Sequence, residues 1–131
     1  MTPPRAATRR DPLAVLGVLA LSTGVAVLAL ATARGVVPLG GVSYETEFVS
    51  DWWWLAFLLA PLPGLAARRR PGAGLAVGAA LVVPHVVAAT VCVRRYATSG
   101  WGDGLEVFAY LHPLLLAGAA AALVAALRRR G

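Results

Sequence analysis

Two residues in this chain carry side chains able to do chemistry within an apolar setting. They are His85 and His112, the only histidines, and each stands beside a proline, in Pro84-His85 and His112-Pro113. Imidazole ligates metals and moves protons near neutral pH. Two histidines from neighbouring helices can hold one haem iron or one metal ion. Arg94 marks one end of the segment carrying His85, and Glu106 marks one end of the segment carrying His112. At 1.5 Å per residue from those ends, the two rings fall within roughly 5 Å of one depth. The pair is therefore a candidate cofactor site, with haem b as the group it would take. A plainer reading stands beside it. A proline leaves a carbonyl unpaired one turn earlier, and such a carbonyl gives a histidine N–H a partner, which makes each histidine structural or gating.

Other chemistry is thinly represented. Cys92 is the only cysteine, so there is no internal disulfide, paired-thiol redox centre or thiolate zinc cage. It reads as a small buried hydrophobe. No Ser-His-Asp or phosphate-loop pattern occurs. Glu45, Glu47 and Asp51 could collect a cation or a basic partner segment. A hard cation wants about six or more oxygen ligands, so these acids read first as solvated loop charges. Asp103 and Glu106 have the spacing of a capping box, with Asp in the Ser/Thr place.

The elements that position these residues are hydrophobic. The chain has 131 residues, 59% of them apolar and 14% charged, with a mean hydropathy of +0.73. Soluble proteins carry roughly 25% charged residues. A soluble fold of this length leaves no surface for so much apolar sequence, whereas lipid is itself an apolar solvent.

Four apolar stretches follow one another, predicting helices over about 13–33, 51–67, 73–93 and 105–127. The first is 21 residues without a charge, about 31 Å of helix, the thickness of a hydrocarbon core. It follows a basic tail and ends Ala31-Thr32-Ala33, like a signal-peptidase site. It exceeds the roughly 7–15 apolar residues of a signal sequence, so a retained first span is expected. Asp11 and Pro12 suit its N-cap and first turn. The second stretch, from Asp51, opens on Trp52-Trp53-Trp54 and closes on Arg68-Arg69-Arg70. Ser50 or Asp51 would cap it. Pro61 and Pro63 free the carbonyls of Phe57 and Leu59, predicting a kink or early unwinding. In the third, Gly74 and Gly78 make a GxxxG that lets helices approach closely. At 100° per residue, Gly74, Gly78, His85 and Cys92 lie within about 40° of one another. In the fourth, Gly118 and Ala122 belong to a small-residue face with Ala117, Ala121 and Ala125. The third and fourth helices are expected to meet through these residues. His112 lies about 120–180° away from Gly118 and Ala121. If the small face packs inward, His112 points elsewhere.

Charge sets the orientation. All twelve basic residues are arginine. Nine of them (Arg5, Arg9, Arg10, Arg68, Arg69, Arg70, Arg128, Arg129, Arg130) lie at the two ends and in the 68–72 turn, with one acid, Asp11. The loops 34–50 and 94–104, with the helix starts beside them, hold three arginines and five acids. Positive residues stay on the cytoplasmic side, so both termini are expected inside and both loops outside. The arginines flank hydrophobic runs and have no interleaved aromatic platform, which argues against nucleic acid. The Arg-only, Ala/Gly/Val-heavy composition fits high-GC bacterial coding, and hence a bacterial plasma membrane.

The expected fold is an all-α integral membrane protein, a single four-helix transmembrane bundle over 1–131. The expected function is non-enzymatic, as a subunit or interaction partner in the bilayer, as a homo-oligomer or with another membrane protein, without a cofactor. The outer loops would present Glu45, Glu47, Asp51 and Trp101. One alternative is the bis-histidine electron carrier. The other is a transporter, since the chain is similar in size to the small four-helix drug exporters. That family places a glutamate in its first helix, where this chain has only Ser22 and Thr23.

Overall fold

The computed structural model describes residues 5–33, 49–98 and 105–130. Within them the chain forms four α-helices: α1 Arg5–Ala31, α2 Leu62–Arg69, α3 Pro71–Thr98 and α4 Leu111–Arg130. Two 3-10 segments, Asp51–Leu59 and Leu105–Tyr110, precede α2 and α4. No strand occurs among the described residues. Three stretches, Pro12–Ala31, Pro71–Thr98 and Val107–Arg130, are helical, long and apolar enough to cross a membrane.

The helix ends differ from those expected. α1 begins at Arg5, not Leu13, because Ala6, Ala7, Arg9 and Arg10 are strong helix formers. Asp11 and Pro12 are thus inside the helix rather than at its cap. α3 starts on Pro71, whose missing N–H is not needed at a first helical position. Only Arg70, in extended backbone, separates α2 from α3. α3 runs on to Thr98, so Arg94 and Arg95 are helical rather than part of a loop.

The second predicted helix is in two pieces. Pro61 and Pro63 cannot donate the i→i−4 bonds that would continue an α-helix across them. The chain winds tighter instead. Ala60 N–H donates to Phe57 O at 3.2 Å, which occupies one of the carbonyls expected to be left spare. Ala60 and Pro61 keep right-handed helical dihedrals, so the winding continues through the joint. Nine residues at about 2.0 Å and the ten that follow at about 1.5 Å wind over about 33 Å. In a 3-10 helix, residues three apart lie on one side. Ser50, Trp53 and Ala56 accordingly all face inward and are buried, while Trp54 faces out.

α3 is the hub, packing against α1, α2 and α4. One buried apolar cluster joins Val18, Ala56, Ala60, Val77, Leu81, Leu116 and Ala120. The other joins Ala26, Ala29, Val49, Trp53, Ala88, Ala89 and Cys92. Outside these the surface is rich in large apolar side chains, with Leu75 80% and Leu58 75% exposed.

The glycine contacts correct the expected packing. A Cβ on Gly74 would stand 2.5 Å from Ala67 Cβ and 3.0 Å from Ala67 Cα, so Gly74 lets α3 close on α2, not on α4. Gly78 is looser, its nearest neighbour being Pro63 at 3.9 Å. Gly64, which the sequence reading passed over, admits α4: a Cβ there would lie 2.7 Å from Leu127 Cδ1. Gly118 and Ala122 are exposed on the outside of α4, and a Cβ at Gly118 meets nothing within 4 Å. The inward face of α4 is His112, Leu116 and Ala120, spaced by four. At the arginine end, a groove of about 440 Å³ lies between α3 and α4, lined by Gly78, Ala117, Ala121 and Val124 over Pro63.

A buried histidine cluster at the junction of four elements

The two apolar clusters are separated by a polar layer. α1 supplies Ser22, between Val18 and Ala26 on its buried stripe. α3 supplies His85, four residues after Leu81. The 3-10 segment supplies Trp53 and α4 supplies His112. Ser22 and His85 are fully buried, and Trp53 and His112 nearly so.

The hydrogen bonds fix the roles of the atoms. An indole N–H only donates, so Trp53 Nε1 donates to His85 Nδ1, at 2.9 Å. The His85 proton then resides on Nε2, which donates to Ser22 Oγ at 2.8 Å. Ser22 O–H in turn donates to Leu81 O, at 2.5 Å. Both nitrogens of His85 are occupied. The partners are side chains of two other elements, not the carbonyl released by Pro84.

His112 is held differently. A backbone carbonyl only accepts, so His112 Nε2 donates to Trp53 O at 2.9 Å. Its ring stacks on the Trp53 indole, with centroids 3.8 Å apart and planes 7° apart. Phe57 meets it edge-on at 5.4 Å, and Trp54 tilts over it at 5.3 Å. Nδ1 of His112 is the one buried side-chain nitrogen or oxygen without a hydrogen-bond partner among the described residues.

Trp53 is held in register from behind. Ser50 N–H donates to Ala29 O at 3.0 Å, and Ser50 Oγ pairs with Thr32 Oγ1 at 2.7 Å. Ser50 occupies the cap position without making a side-chain cap bond, because its hydroxyl is used on α1. Arg95 of α3 donates to Leu30 O at 2.9 Å, tying α3 to the same end of α1.

No known protein family model matches this chain, and neither a curated protein nor a solved structure is significantly similar to it.

His85 and His112 do come together, with ring centroids 5.3 Å apart. Between them they offer one uncommitted nitrogen, His112 Nδ1. A metal held by both rings needs a lone pair from each, and His85 has none spare. Asp51 opens the 3-10 segment and is half-buried beside Trp53. Gly74 is buried and Gly78 half-buried, both toward α2. Glu45, Glu47, Trp101 and Asp103 lie outside the described residues, as does the side chain of Glu106.

Sequence reasoning missed Ser22 and Trp53 as partners. Ser22 carried a usable signal: it stands among Val18, Ala26 and Ala29 at helical spacing. A lone hydroxyl on the apolar stripe of a helix needs a buried partner. Trp53 carried none until the segment was known to wind with a period of three.

Proposed function

We propose that the chain is a four-span membrane protein with both termini in the cytoplasm, non-enzymatic, acting as a subunit that associates through the outward face of α4. The partner is a second copy or another membrane protein. One observation carries this reading: α4 turns its chemistry-bearing residue inward and most of its small residues outward. His112 is buried while Gly118 and Ala122 are exposed, with open space above Gly118. Lipid supplies no hydrophobic drive between helices, and small residues let two backbones approach closely enough for dispersion and weak hydrogen bonds to act. The exposed Leu75 and Leu58 suit contact with acyl chains, and the composite rod 51–69 has the length of a span.

The test is site-directed cross-linking through cysteines on the outward face of α4 in native membranes, with Gly118→Leu as the disrupting variant. Association predicts a cross-linked product that Gly118→Leu reduces. Cross-linking that never rises above that of a cysteine on the lipid-facing side of α1 would sink the proposal.

The bis-histidine electron carrier is the second reading, favoured by the 5.3 Å approach of the rings. It requires His85 to give up the Trp53 N–H, which holds the ring's one lone pair. The exporter reading gains nothing from this arrangement, since Ser22 is bound to His85.

A further inference from the structure

We propose that a groove between α1 and α2, at the arginine end, holds an anionic phospholipid. Its phosphate lies on Arg68 and Arg69, and one acyl chain lies along the apolar walls. The proposal rests on the four-span reading. It is independent of association through α4, whose outward residues line no part of this groove.

The groove follows from the way α2 is packed. Gly64 draws α2 onto α4, and Gly74 draws α3 onto α2. α1 packs on α3 and on the 3-10 segment, but hardly on α2. The side of α2 that faces α1 is therefore left with a groove of about 520 Å³. Ala14 and Val18 of α1 line it, with Ala66 of α2 and the buried Val77 of α3. Arg68 and Arg69, in the last turn of α2, complete the lining.

Two features specify the occupant. Apart from the two arginines, every lining residue is Ala, Val or Leu. Such walls offer no side-chain hydrogen bond, and a hydrocarbon chain meets them through dispersion. The second feature is the pair of guanidinium groups. Each is always charged, and its planar fork of donors matches phosphate oxygens. No acid is in the lining. Asp11, one turn before Ala14, follows Arg9 and Arg10 directly, so this end stays basic. A zwitterionic headgroup brings an ammonium that finds no carboxylate in the groove. Free phosphate uses the arginines and leaves the apolar walls uncovered. A net anionic phospholipid meets both, because its charge sits at the membrane surface directly above its chain. Basic pockets between helices recognise such headgroups at the cytoplasmic face.

The test is a lipid titration of the full-length protein in nonionic detergent, read by native mass spectrometry. Phosphatidylglycerol is compared with phosphatidylcholine of the same chains. The expected preference for phosphatidylglycerol is about tenfold. Arg68→Gln with Arg69→Gln should abolish it. Arg129→Gln with Arg130→Gln removes the same charge outside the lining and should leave it intact. Ala14→Leu narrows the groove at an exposed position and should weaken both lipids severalfold. Equal affinity for the two lipids overturns the proposal. So does a preference that survives the Arg68 and Arg69 changes, or that falls as far with the Arg129 and Arg130 changes. Unchanged affinity in Ala14→Leu overturns it too, since the arginines would then act without the groove. Alkaline carbonate extraction of membranes tests the four-span reading separately. A chain that resists extraction but shows no lipid preference loses this proposal alone, and a chain that is extracted loses both.

Discussion

The imidazole of His112 lies flat on the indole of Trp53 and also donates to that residue's carbonyl oxygen. One residue thus receives the histidine through its ring and its backbone together. Trp53 then passes the constraint on, because its own N–H is given to His85. Four elements are tied by a chain of contacts that runs from α4 through the 3-10 segment and α3 to α1.

Removing His85 should expose how much that chain holds. His85→Ala leaves the Trp53 N–H without its acceptor and opens a cavity. The expected loss is about 2–4 kcal/mol in unfolding free energy. Ser22→Ala should cost about 1 kcal/mol, the usual size of an interhelical hydrogen bond in lipid. The double variant should lose less than the sum, since both act on one bond. Unfolding in mixed micelles of rising SDS fraction measures all three, and strict additivity would show that Ser22 and His85 do not interact.

His112→Phe should behave unlike His85→Ala. It keeps the stack on Trp53 and removes the buried nitrogen that has no partner, while forfeiting one hydrogen bond to a carbonyl. The two effects oppose, so stability should change by no more than about 1 kcal/mol. A loss as large as that of His85→Ala would mean that Nδ1 has a partner in the folded protein.

The glycines divide into two kinds. Gly74→Ala forces a methyl to within 2.5 Å of Ala67 Cβ, and against backbone that cannot swing aside. It should part α2 from α3 and cost about 1–3 kcal/mol. Gly118→Ala meets nothing and should gain up to about 1 kcal/mol from helix propensity. The same SDS titration ranks them, and the reverse order would place the close approach on α4.

Orientation can be read with thiol labelling. In a Cys92→Ala background, Thr98→Cys should react with a membrane-impermeant maleimide added to intact cells. Arg69→Cys should react only after the cells are opened. Reaction of both from outside would contradict the proposed orientation.

The absorption spectrum decides the redox reading. With both His85 nitrogens engaged, the detergent-purified protein should be colourless before and after dithionite, and metal analysis should find no stoichiometric iron. A Soret band lost in both His85→Ala and His112→Ala would show that His85 gives up the Trp53 N–H to bind iron.

The sequence by itself determined the helical class, because long uncharged runs admit few other structures. It also determined which segments are apolar enough to span a bilayer, apart from the second, and where the punctuation by proline and arginine falls. It placed His85 on the same face as Gly74 and Cys92, since one helix fixes those angles whatever surrounds it. The face of α4 that turns inward was beyond it. A stripe of Gly and Ala packs as well against a partner as against its own bundle, and local periodicity cannot choose between them. Only the tertiary structure showed the choice, by aligning His112, Leu116 and Ala120 with the core. It likewise decided which tryptophan of three is structural. Pro61 and Pro63 deny Phe57 and Leu59 their α-helical donors, the segment before them winds with three residues per turn, and that pitch brings Ser50, Trp53 and Ala56 to one side. The polar layer follows from that registration, because its four residues come from four elements and no single segment carries the pattern.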